Sequence, residues 1–227
     1  MNRPQTFLDP LARRKSGQTG FGRALTTLVL IVAMVTSFVG IQVAGEKKAG
    51  ATTRCGSAPQ PSALWFNCDL SDRDLTNANL TNASLVGANL ANTNLTGATL
   101  DGVMTGGVDG TPSALPNGWK LAKGYLVGPK AYLSNADLRN ANLTNANVSG
   151  ANLTDAKLTG ATLDGVSSGG VVGRPATLPI GWILVNGSLV GPKANLTDAN
   201  LTGADLTAAT LDGVSSGGVH GTPSGLP

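Results

Sequence analysis

The sequence predicts an all-β solenoid, a square coil that needs about 20 residues to go round once. Three observations predict it. An apolar residue recurs at every fifth position over long stretches, which matches neither the 3.6-residue period of a helix nor the period of 2 of a flat strand. An alanine stands two places before most of these residues. The chain is also poor in large side chains: of 227 residues 31 are Gly, aromatics make up 4% and charged residues 13%. That charged share is about half of the ordinary value, and a small-residue, backbone-rich architecture suits it better than a conventional core.

Before the coil comes a leader. Residues 1–23 carry Arg3, Arg13, Arg14, Lys15 and Arg23 against Asp9 alone, and read as a disordered cytoplasmic tail. Residues 24–45, ALTTLVLIVAMVTSFVGIQVAG, run for 22 residues without a charge. At about 1.5 Å per residue that length crosses a hydrocarbon core of about 30 Å as a single transmembrane helix. The basic residues ahead of it keep the N-terminus in the cytoplasm, so everything after Gly45 is expected outside. Two readings stay open. One is an uncleaved signal anchor, since the run exceeds the roughly 7–15 apolar residues of a signal peptide. The other is a cleaved signal peptide releasing a secreted protein, for which Ala49-Gly50-Ala51 offers a small-residue site.

Residues 46–67 read as a stalk and N-terminal cap. Leu64, Trp65 and Phe66 are expected to cover the open apolar end that a solenoid has to close. The chain has two cysteines, Cys55 and Cys68. Export permits a disulfide, and a bridge between them would staple this mouth. Two free thiols are the alternative.

The five-residue rhythm then runs through three blocks, 68–102, 131–165 and 194–213. Its centres are Leu70, Leu75, Leu80, Leu85, Leu90, Leu95 and Leu100, then Leu133, Leu138, Leu143, Val148, Leu153, Leu158 and Leu163, then Leu196, Leu201, Leu206 and Leu211. Of these 18 centres 17 are Leu, and the position two before is Ala in 15, with Cys68, Arg73 and Thr93 as exceptions. If the chain turns a corner every five residues, four sides close a square. Each central leucine then points inward as structural core, each alanine tucks beside it, and the other three positions face out. Coils stack at about 4.8 Å through backbone hydrogen bonds. Asn, Asp and Gly suit the corners, because they tolerate turn conformations.

Between the blocks lie two 28-residue inserts, 103–130 and 166–193, and a truncated one at 214–227. A module of 63 residues thus occurs twice, followed by a shortened copy. In the second insert, WILVNGSLVG reads as two short strands around Asn186-Gly187, the strongest two-residue hairpin signal. The first insert has Lys123-Gly124 there, a weaker turn. Trp119 and Trp182 open the two hairpins. They have two readings: exposed stacking platforms for a glycan, or packing of the hairpin against the coil. A tryptophan repeated at one place in a small-residue protein favours the second.

The pattern A-[DN]-L-x-[GN] resembles the pentapeptide-repeat family over 90 residues of the chain. That resemblance implies a right-handed quadrilateral β-helix with β-hairpin inserts. The G-[VT]-x-G-x-P-x-x-L-P-x-G-W segments resemble inserts of exported bacterial members.

Catalytic and metal chemistry find little support. His220 is the only histidine, no Cys–His spacing suits zinc, and no nucleophile elbow occurs. Asp101, Asp164 and Asp212 each precede Gly and close a block, which an Asp-Gly turn explains without calcium. No cofactor is expected. The net charge of +3 comes from the leader. From Thr52 onward nine Lys or Arg meet eleven Asp, a net of −2, which offers no basic face to nucleic acid. The reading is a non-catalytic scaffold, anchored in the cell membrane with its C-terminal part outside, binding a protein or a cell-wall glycan. The alternative that the resemblance permits is a cytosolic DNA mimic protecting a topoisomerase. An open C-terminal coil would stack on its like as a homodimer, unless the sequence is incomplete at Pro227.

Overall fold

The computed structural model describes residues 55–227. The membrane span expected at 24–45, and the tail before it, fall outside the described residues. Among the described residues no helix is long and apolar enough to cross a membrane.

One pentad makes one side of a square and the turn after it. The carbonyl of a central leucine accepts the N–H three residues on, as from Ala78 N to Leu75 O at 3.0 Å. The third residue of that turn has positive φ, 58° at Asn77 and 67° at Gly97. This is the type II arrangement, which favours Gly or Asn at that place. The residue before the centre closes the turn with its side chain: Asp74 Oδ1 accepts the N–H of Thr76 at 3.0 Å and its hydroxyl at 2.5 Å. The acidic or amide residue, the Thr and the Asn or Gly of the repeat therefore belong to one local hydrogen-bonded unit.

Parallel bridges join residues 20 apart and define four sides. The first carries Leu64, Ser84 and Met104, the second Asp69, Asn89 and Asp109, the third Asp74, Asn94 and Ala114, and the fourth Asn79 and Thr99. The central residues from Leu70 to Leu206 are buried, and Leu211 is half-buried. Burying each leucine stabilises the stack by roughly 1.5–3 kcal/mol.

The coil does not stop where the leucines stop. Ser84 bridges Met104, Asn89 bridges Asp109 and Asn94 bridges Ala114, so the first insert builds three more sides before leaving the square. Val103 and Val108 are buried there at alanine positions, and Thr105 is buried at a central one. The ladder likewise reaches Thr177 in the second insert and Gly225 in the truncated one. The boundaries at 102, 165 and 213 are thus changes of composition and not ends of the coil, and residues 214–225 stack a further layer on 194–213. A similar correction holds at the other end. Trp65 is fully buried at a central position of its own, Leu64 faces outward in the ladder, and Phe66 is half-buried. Of the three residues expected to cap the shaft, Trp65 fills it.

Only the last part of each insert departs from the square. β1 (Lys120–Ala122) pairs antiparallel with β2 (Tyr125–Val127), and β3 (Ile183–Val185) with β4 (Ser188–Val190). Both turn residues have positive φ, Lys123 at 53° and Gly124 at 74°, Asn186 at 49° and Gly187 at 73°, as a type I′ turn requires.

Across the first insert the ladder continues on one side alone, where Met104 bridges Tyr132 at a spacing of 28 rather than 20 residues. On the other sides the hairpin comes between successive coils. Val108 N–H donates to Gly124 O at 3.0 Å, and Asn147 N–H donates to Gly118 O at 3.4 Å. Lys120 Nζ donates to Thr144 O. The hairpin is a wedge in the stack. Across the second insert the continuous bridge is Ser167 to Asn195, on the fourth side. The step follows from arithmetic: the 63-residue module less the eight extra residues leaves 55, which is eleven sides of five. Each wedge therefore enters one side back from the last.

Candidate interaction surface

The repeated tryptophans belong to the interior. Ala131 N–H donates to Gly128 O and Ala194 N–H to Gly191 O, so Gly128 and Gly191 hold the turn position that a central leucine holds elsewhere. Neither has a side chain to send inward. A Cβ on Gly128 would lie 2.1 Å from Cδ2 of Trp119, and one on Gly191 2.2 Å from Cδ2 of Trp182. Each hairpin returns a tryptophan to the place its coil leaves vacant. Trp182 is only 9% exposed, and Trp119 packs against the core on both sides of its wedge. The reading of these rings as open stacking platforms does not fit this packing.

The exceptions at alanine positions also have structural reasons. Cys68 is joined to Cys55 in a disulfide with Cα atoms 5.4 Å apart. Arg73 sends Nη2 to Cys55 O at 2.6 Å and lies 6.0 Å from the Trp65 ring centroid. Trp65 Nε1 donates to Ser57 Oγ at 2.9 Å. Together they hold residues 55–57 over the mouth of the shaft. Thr93 is fully buried and donates its hydroxyl to Leu70 O at 2.8 Å.

Two concavities flank the hairpins, and they are not equivalent. Beside the second lies a cleft of about 240 Å³ lined by residues 174–178 and 182–184. Ile180, near its rim in sequence, is fully exposed. Beside the first hairpin is an open polar groove of about 350 Å³, lined by Gly107, Lys123, Tyr125, Asp137, Arg139 and Asn140. Arg139 donates Nε to Asp137 Oδ1 at 2.8 Å and Nη2 to Oδ2 at 2.5 Å. The Arg139 side chain, then its backbone N–H, hold the Asp137 carboxyl well below the usual range. The phenol of Tyr125 reaches across from the hairpin and accepts the Asp137 N–H at 3.4 Å. These residues went unnoticed in the sequence, apart from Lys123. The signal was there in the comparison of the two modules: 63 positions on, they become Asn186, Ser188, Asn200, Thr202 and Gly203.

Chemistry elsewhere is sparse. Among the described residues no group of three His, Cys, Asp or Glu could hold a metal ion. His220 sits outward in the ladder opposite Asn200. The block-closing Asp101 and Asp164 pair with Lys130 and Lys193 across the inserts, at 2.7 and 2.8 Å.

The family comparison agrees with this architecture. A family model for pentapeptide repeats matches in 8 copies, over residues 66–103, 131–167 and 192–215. Among solved structures the chain is similar to HetL, a pentapeptide repeat protein involved in heterocyst differentiation regulation from the cyanobacterium Nostoc sp. strain PCC 7120. The identity is 23%, over 72% of this chain and 70% of that one, with a TM-score of 0.29. No curated protein matches.

Proposed function

The chain belongs to the pentapeptide-repeat family, a β-helix solenoid of the non-catalytic repeat type, and on that footing we propose that it is an extracytoplasmic scaffold that binds a protein or a cell-wall glycan. Its inward positions are filled mainly by Leu, Ala, Val and Trp, so recognition falls to the outward Asn, Asp and Thr faces and to the hairpin grooves. Membrane anchoring is supported by the uncharged run at 24–45 with basic residues before it.

The observation that carries the location is the disulfide from Cys55 to Cys68, ten residues beyond that run. Such bridges persist outside the reducing cytoplasm. Fractionation of cells making the full chain tests the proposal. Recovery with the membrane, or in the medium if the leader is cleaved, together with digestion of the solenoid by protease added to intact spheroplasts, is expected. Recovery of a reduced, protease-protected chain in the cytosol would overturn it. Cosedimentation of the chain with isolated cell walls tests the ligand class.

A further inference from the structure

We propose that the polar groove beside the first hairpin is a binding site for an anionic saccharide, a sugar unit carrying a carboxylate or phosphate. The internal repeat supplies the argument. The second module builds the same wedge with Asn186, Ser188, Asn200, Thr202 and Gly203, so the fold does not require Lys123, Tyr125, Asp137, Arg139 and Asn140. Lys123 is the clearest case. It holds the first turn position at a φ of 53°, where Asn is favoured and other L-residues are strained. In the second module Asn186 has that place and ties the turn to the coil, donating Nδ2 to Thr202 O at 3.0 Å. Lys123 gives up this bond, and its exposed amine has no partner among the described residues. A residue that costs local stability and aims a free charge at a groove is a mark of function.

The remaining groups suit the same ligand. The Asp137–Arg139 pair cancels its own charge and is held rigid by two hydrogen bonds, leaving the groove a net +1 from Lys123. Donors dominate: the Lys123 amine, the unused Nη1 of Arg139, the Tyr125 hydroxyl and the Asn140 amide. The carboxylate of Asp137 keeps acceptor capacity for a sugar hydroxyl. The groove, about 350 Å³, stands at the small end of ligand sites, the size for a single sugar unit rather than a chain.

This goes beyond the scaffold reading and does not depend on where the protein resides, because binding is measured on the purified full-length chain in detergent. Isothermal titration with glucuronate, glucose 6-phosphate, glucose and inorganic phosphate is the experiment. One or both anionic sugars are expected to bind at least tenfold more tightly than glucose and than inorganic phosphate, and the stronger of the two identifies the acidic group. The variant Lys123→Asn is expected to weaken that binding at least fivefold. The triple variant Lys123→Asn, Tyr125→Ser, Arg139→Thr, which installs the residues the second module already uses, is expected to abolish it. Circular dichroism of both variants confirms the fold. Glucose or inorganic phosphate binding as tightly as the stronger of the two anionic sugars, no binding of any probe, or full binding by the folded Lys123→Asn chain would each overturn the proposal.

Discussion

Trp182 and Gly191 share one place in the shaft: a Cβ on the glycine would stand 2.2 Å from Cδ2 of the indole. Trp182→Ala should therefore cost about 3–5 kcal/mol, the usual range for emptying a tryptophan site. Gly191→Leu alone should also destabilise, because its side chain collides with the ring. The two together should recover more than half of the loss, since the double variant restores the ordinary repeat. Urea unfolding of all three variants checks this, and strictly additive losses would show that the two residues do not compete for space.

Reduction should loosen the N-terminal mouth and little else. The bridge closes a loop with a sequence separation of 13, for which chain entropy gives about 3 kcal/mol. Cys55→Ala with Cys68→Ala should lower the urea midpoint accordingly. Hydrogen exchange should rise around Trp65 and Arg73 and stay unchanged beyond the first wedge.

Adjacent positions at 157 and 158 give an internal control for the inward assignment. Lys157 is exposed, while Leu158 is 1% exposed. Leu158→Lys buries an unpaired charge beside a neighbour that already carries one harmlessly outside, and should cost several kcal/mol. Lys157→Leu should change stability by about 0.5 kcal/mol or less. Similar melting temperatures for the two variants would reverse the assignment.

Acid should weaken the turns. The Asp69, Asp74 and Asp205 carboxyls are held below their usual value, first by the hydroxyls and then by the N–H groups of Ser71, Thr76 and Thr207. A depressed folded value means that this stabilisation is complete above the unfolded value, about 3.9, and is lost as pH falls below it through the folded values. Urea midpoints should be flat from pH 7 to about 5 and decline from about pH 4 downward. Asp74→Asn keeps an acceptor for Thr76 without a titrating group, and should make the decline shallower.

The turn at Lys123 offers a trade between stability and recognition. Lys123→Asn should raise stability by about 1 kcal/mol, since it relieves a lysine in the left-handed region, in the same variant that weakens saccharide binding. A higher melting temperature checks the first half.

Much of this was legible because a five-residue period leaves one geometric solution for Leu143 or Leu153. The hairpin turn at Asn186-Gly187 was legible for a similar reason, since it rests on local backbone preference alone. The coil through Val103, Thr105 and Val108 was not, because the leucine that marks a side is absent there and ladder hydrogen bonds leave no trace in side-chain type. The fit of Trp119 beside Gly128 was hidden for another reason. It joins two residues nine apart through a hairpin, and a glycine at a central position reads as a break when it is a vacancy filled from elsewhere. The groove escaped notice because no spacing announces it. Tyr125 and Arg139 stand out only against Ser188 and Thr202, at the same places in the other module.

The single unbroken ladder at each wedge has a mechanical consequence. Backbone bonds tie the coils together at Met104–Tyr132 across one wedge and at Ser167–Asn195 across the next, on neighbouring sides of the square. Each uncut edge passes backbone bonds directly from coil to coil, while the other edges are joined only through the hairpin, as by Val108 N–H to Gly124 O and Asn147 N–H to Gly118 O. A load along the stack is thus carried at each wedge by direct coil-to-coil bonds on one edge and relayed through a hairpin on the rest, and the directly bonded edge moves to the adjacent side from one wedge to the next.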